Sequence, residues 1–137
     1  MAKLTVSKQL TLEAAKAMGA AAEAEAVRNG LTIAVAIVDA GGHPLYLARM
    51  EGGLLASYRG ALKKAETAVM FGRPTKRMEE VVASGRPHVL AFENVLPMEG
   101  GLPIAVDGAI IGGIGVGGTT SGPDATRCAE AGLATLP

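Results

Sequence analysis

Residues 103–118 read PIAVDGAIIGGIGVGG. Two short β-prone runs flank Asp107-Gly108, a two-residue linker that supplies the backbone twist of a tight β-hairpin. In the returning strand, alternation places Ile110, Gly112, Ile114 and Val116 on one face and Gly113, Gly115 and Gly117 on the other. The second face carries almost no side chain. Glycine weakens a strand, so several on one face imply that an Ala-rich helix, a neighbouring subunit or a ligand comes close to the backbone. Gly113 to Gly118 also satisfies G-x-G-x-x-G. A dinucleotide site needs that motif where a strand turns into a helix, and here it lies inside the arm of an antiparallel hairpin.

Working outward, Thr32 to Asp39 (TIAVAIVD) and His43 to Met50 (HPLYLARM) are separated by Ala40-Gly41-Gly42 and predict a second hairpin. Before it, Leu12, Ala15, Met18, Ala22 and Ala26 recur at helical steps, with Thr11 as N-cap and Asn29-Gly30 as stop. Between the hairpins, Leu54 to Met70 carries helical spacing at Leu55, Tyr58, Leu62, Ala65 and Val69 and stops at Gly72 before Pro74. Thr75 is placed to cap a shorter helix to about Ala83. Ser121 to Asp124 fits the S-x-x-D capping pattern and opens a last helix through Leu133. The order is helix, hairpin, two helices, hairpin, helix. This predicts an α/β chain of the α+β kind, a mainly antiparallel sheet flanked by helices, with residues 1–137 as one domain.

Thirteen Lys and Arg balance thirteen Asp and Glu, which removes the positive field that nucleic acid or an anionic membrane would require. Aromatic residues make up only 3% and Trp is absent, so the core is expected to use Ala, Val, Ile, Leu and Met. A mean hydropathy of +0.31 without a membrane-length apolar run points to surface buried between copies, and a homo-oligomer is expected. The N-terminus lacks the apolar stretch of an export signal, and Cys128 stands alone, so a cytoplasmic protein without disulfides is expected.

Several residues carry chemical potential. The loop Gly117-Gly118-Thr119-Thr120-Ser121-Gly122 puts amides and hydroxyls before a helix N-terminus, suiting a carboxylate or phosphate, and serves equally as a capping turn. His43 sits at a hairpin turn where it can reach solvent, substrate or metal, and His88 lies in an Arg-Pro-His segment. Arg49 ends a strand. Of Lys63 and Lys64, one must face solvent less than the other; Lys64 or Arg49 is a candidate to bind an acidic group or to act with a lowered pKa. Glu79 and Glu80 offer oxygen ligands to a hard cation, but neighbours on a helix point apart.

Taken together, LTLEAAKAMGAAAEAEA, AVAIVDAGGHPLYLARMEG, KKAETAVMFGRPT, GGLPIAVDGAIIGGIGVGG and SGPDATRCAEAGLATL resemble the GlcG/HbpS-like family, described as haem-binding or haem-degrading. The resemblance implies a profilin-like domain assembled into dimers or rings as large as octamers. It also implies haem as cofactor, with His43 or a loop threonine near iron and Arg49 or Lys64 near the propionates. His43, Arg49, Lys64, Gly117, Gly118, Thr119 and Thr120 are the ligand-binding candidates, His43 and Lys64 the catalytic ones, and His43 the iron ligand. The common family loop reads nearer to Gly-Val-Ser-Gly, and this chain has Gly117 in place of the serine. The leading expectation is haem or a related tetrapyrrole bound at a subunit interface. The alternatives are a small cofactor-independent catabolic enzyme acting on an organic acid and a non-catalytic assembly module.

Overall fold

The computed structural model describes all of residues 1–137. The elements are α1 (Leu12–Arg28), β1 (Ala34–Asp39), β2 (Pro44–Arg49), α2 (Ser57–Phe71), α3 (Thr75–Ala83), a 3-10 turn (Pro87–Ala91), β3 (Gly101–Val106), β4 (Ala109–Gly117) and α4 (Gly122–Leu133). The strands form one sheet in the order β2-β1-β4-β3, and every neighbouring pair is antiparallel. The expected α+β architecture is therefore present. Asp107 and Gly108 both have positive φ, 52° and 77°, the backbone that a primed two-residue hairpin turn requires.

Helices cover both faces of the sheet. On one side α1 and α4 bring Ala15, Met18, Ala22, Ala125, Cys128 and Ala129 against Val35, Ile37, Ile114 and Val116. On the other, Ala61 and Ala65 of α2 meet Ala34, Ala36 and Val38. Caps fix the outer helices where the sequence places them. Thr11 Oγ1 accepts the Ala14 N–H at 3.0 Å, and Ser121 Oγ accepts the Asp124 N–H at 3.3 Å.

The bare glycine face meets a helix. A Cβ on Gly113, Gly115 or Gly117 would overlap the backbone carbonyl oxygens of Ala65, Ala61 and Ser57 respectively, so α2 lies against the strand at backbone distance. This contact decides which side of α2 is buried. The side facing the sheet is Ser57, Ala61, Lys64, Ala65 and Ala68, because only small residues fit over glycine. Of the larger residues that suggested the helix, Tyr58, Leu62 and Val69 flank the contact half-buried and Leu55 is exposed.

Three local expectations are corrected. Leu12 is exposed, and the inner face of α1 begins at Ala15. The β3–β4 register slips between Ile104 and Ala105, whose partners are Gly112 and Ile110. The unpaired Ile111 is a bulge that resets the alternation. Ile111 therefore enters the α1/α4 core, and Ile110 reaches the α2 side near Gly72. Finally, Thr75 makes no cap; its buried Oγ1 accepts the Gly101 N–H at 2.8 Å and ties the start of α3 to β3.

Candidate functional site

Lys64 follows from the glycine packing. Its helical position turns it toward the sheet at the level where β4 ends, and its side chain passes inside to donate a 2.9 Å hydrogen bond from Nζ to the Val116 carbonyl oxygen. Only 6% of the residue is exposed, whereas Lys63 is exposed. Burial lowers the Lys64 pKa, and the nearby carboxylates of Glu79 and Glu99 act in the opposite direction. None of the ion pairs in the structure includes Lys64. An ammonium has three donors, and a single neutral carbonyl takes one of them.

An open cleft of ≈ 370 Å³ lies over this amine. Its apolar wall is Leu54, Leu96 and Met98, its cations are Arg59, Lys63 and Lys64, and Gly117, Gly118 and Thr119 form the end next to β4. A smaller recess of ≈ 130 Å³ behind it is lined by Lys64, Glu79, Glu99, Thr119 and Thr120 among others. Loop closure uses part of the polar capacity here. Thr119 Oγ1 donates to the Ser121 carbonyl at 2.6 Å, Thr126 Oγ1 donates to Glu99 Oε2 at 3.0 Å, and the Glu99 N–H donates to Glu79 Oε1 at 3.4 Å. The capping role of the glycine-threonine loop is thus realised beside the cleft.

The fold brings together Lys64, Gly117, Gly118, Thr119 and Thr120 from the candidate set. Arg49 shares their end of the sheet, since it pairs with Ala34 and Ala34 pairs with Gly117; it lies on edge strand β2, two strands from Gly117. His43 is at the opposite end. The six residues of β1 separate the two ends by roughly 17 Å, so His43 and Lys64 of one chain do not share a small ligand. At its own turn, Asp39 Oδ1 accepts the N–H groups of Gly41 at 2.9 Å and His43 at 3.0 Å, with the imidazole Nδ1 at 3.4 Å. The His43 N–H is the main cause that holds the Asp39 carboxyl below its usual pKa. The His43 side chain is 81% exposed, between surface depressions of ≈ 390 and ≈ 650 Å³. His88 is exposed on the 3-10 turn.

Arg59, Leu54, Met98 and Glu99 belong to the cleft or its recess without having stood out in the sequence. Arg59 carried the one usable signal, its i,i+4 spacing to Lys63 on a helix. Nothing in the order of residues marks Glu99 or Met98, which arrive from the long connection before β3. No group of three His, Cys, Asp or Glu residues is arranged to hold a metal ion, and no helix is long and apolar enough to cross a membrane.

Residues 10–134 match the family described as haem degrading protein HbpS-like. GlcG from Escherichia coli strain K12 is 39% identical over 114 residues, which cover 83% of this chain and 82% of GlcG. A crystal structure of a double mutant of HbpS from Streptomyces reticuli superposes with a TM-score of 0.91 at 38% identity, over 98% of this chain and 91% of that one. A crystal structure of a PduOC:haem complex superposes with a TM-score of 0.86 at 29% identity, over 94% of this chain and 96% of that one. The glycine-seated helix, the two hairpins and the matched length together make this chain a member of the GlcG/HbpS-like family.

Proposed function

We propose that this protein binds haem or a related tetrapyrrole in the Lys64 cleft, with a second copy of the chain closing the open side. The observation that carries the reading is the composition of the cleft: the apolar side chains of Leu54, Leu96 and Met98 line it together with the cations Arg59, Lys63 and Lys64. A macrocycle needs apolar surface, and its propionates need cations. Leu54 and Met98 are exposed at 67% and 49%, so this wall gains cover when a flat apolar ligand lies on it. The two Lys64 N–H donors without a protein acceptor suit a propionate oxygen.

Among the lining residues Met98 offers a thioether and Thr119 a hydroxyl that could approach iron, and thioether ligation is known chemistry for haem. His43 of the same chain is too far away and would reach such an iron only from a second copy. Bound haem would supply redox and oxygen chemistry; the chain supplies orientation, charge neutralisation and exclusion of water. Family membership and the haem complex of the PduOC neighbour support the choice of ligand.

Titration of purified protein with haem tests the reading. A saturable shift of the Soret band is expected, weakened at least about tenfold in Lys63→Ala/Arg59→Ala and changed in position by Met98→Leu. A spectrum identical to that of free haem at every ratio would remove the proposal. A second reading, a small cofactor-independent catabolic enzyme for an organic acid, rests on the buried Lys64 amine with its lowered pKa and two unused donors. Its expected result is turnover that Lys64→Met abolishes.

A further inference from the structure

The burial of Lys64 also fixes where its nitrogen stands. Gly100, with φ at 130°, packs so closely that a Cβ there would lie 3.0 Å from Nζ and 2.8 Å from the Val116 carbonyl oxygen. That carbonyl takes one N–H of the amine, and a Cβ on Gly101 would overlap the Lys64 carbonyl oxygen. Two glycines and one carbonyl thus order a side chain that is otherwise among the most mobile. A neutral amine keeps the bond to Val116 with one N–H and retains a lone pair, and burial favours that neutral form.

Glu79 and Glu99 line the recess with Lys64, yet neither is ion-paired with it. Each carboxyl group is held by one oxygen: Glu99 Oε2 accepts from Thr126 and Glu79 Oε1 from the Glu99 N–H. The other oxygen of each is left to exchange protons. The recess of ≈ 130 Å³ is several times the share of about 30 Å³ that a water takes. Lys64, Met98 and Thr119 belong to both the recess and the cleft, and on the cleft side Arg59 and Lys63 are exposed cations. A nucleophile, proton carriers and cations for a carboxylate therefore border adjoining spaces.

We infer that Lys64 is a nucleophile that forms an imine with a small oxo acid, whose carboxylate is held by Arg59 and Lys63. The inference rests on the second reading above, an enzyme for an organic acid, and supplies its covalent step. The Nζ lone pair adds to the carbonyl carbon, a C–N bond forms, and the π pair of the C=O bond passes to oxygen. The two protons of the amine then leave in turn, one to that oxygen and one to the departing hydroxyl, with a recess carboxylate as carrier. The nitrogen pair closes the C=N bond as the C–O bond breaks. Amine and carbonyl become imine and water, and nothing is oxidised or reduced. The cleft of ≈ 370 Å³ sets the small size of the substrate, and its two exposed cations set the acid group.

Pyruvate and sodium cyanoborohydride, added to the unaltered full chain without haem, test this. Reduction turns an imine into a stable carboxyethyl amine, which peptide mass mapping assigns to a residue. Lys3, Lys8, Lys16, Lys63 and Lys76 are exposed and give the background within the same molecule. At limiting pyruvate, Lys64 should be labelled at least about tenfold faster than any of them. It should also react at least about tenfold faster than with acetone, which has no carboxylate for Arg59 and Lys63. Lys64 labelled no faster than the exposed lysines, or as fast by acetone as by pyruvate, overturns the inference. An unlabelled Lys64 in a protein that still turns over an organic acid removes the imine and leaves the enzyme reading. A labelled Lys64 in a protein that turns over none keeps the imine and removes that reading.

Discussion

The Lys64 ammonium is bound by Val116, a residue of the strand whose glycines seat the helix carrying Lys64. The close helix-strand contact and the burial of the lysine are one structural event. A bulkier β4 would push α2 outward and return the amine to water.

Lys64 has a pKa below its ordinary 10.5 because burial disfavours the charge. Between the depressed folded value and 10.5, the unfolded chain holds a proton that the folded chain has released, so this group makes stability rise with pH. Tyr46 acts oppositely above its ordinary 10.0, since burial and its bond to Glu23 push it up to about 12. Denaturation of parent and Lys64→Met between about pH 7 and pH 10 should show a rising stability difference in favour of the parent. Parallel pH profiles would contradict the assignment.

Gly115→Ala places a methyl group into the Ala61 carbonyl, with backbone on both sides of the contact. Neither neighbour is a flexible side-chain end that can move aside. The expected loss is at least about 3 kcal/mol, measured by urea unfolding or seen as failure to fold. Gly60→Ala, on the same helix with nothing near its added methyl, is the control and should be neutral or slightly stabilising.

Thr75→Val keeps the shape but removes the acceptor for the Gly101 N–H. A buried donor left unpaired costs about 1–3 kcal/mol. Thr75→Ser should keep most of the stability, because the hydroxyl and not the methyl makes the bond. Equal unfolding midpoints for the valine variant and the parent would show that water reaches this position.

Asp39 has a depressed pKa, mainly through the His43 N–H, relative to an ordinary 3.8. Its contribution to stability is fully present above 3.8 and is lost as pH falls through the lower folded value. Asp39→Asn keeps an acceptor for both turn amides and should flatten this part of the acid-unfolding curve. An acid limb identical in the two proteins would mean that the turn does not hold the charged form.

Local chemistry made most elements legible. Asp107-Gly108, Gly72, Thr11 and Ser121 act through their own φ values or hydroxyls over three or four residues, which sequence order specifies directly. The bare face of β4 announced a close neighbour, and the neighbour is α2. The Ile111 bulge was not legible, because a single extra residue preserves the apolar pattern while exchanging the faces of Ile110 and Ile111. Nor was the helix face of α2, where side-chain size at the contact outweighed hydrophobicity and admitted Lys64 in place of Leu55.

By itself, then, the sequence determined two hairpins, four helical stretches and an antiparallel sheet, since each rests on backbone preferences acting within a few residues. Tertiary structure decided which polar residues meet. Lys64 joins Thr119 and Glu99 because α2 must lie on glycine, and His43 stands apart because a strand of six residues holds the two ends of the sheet away from each other.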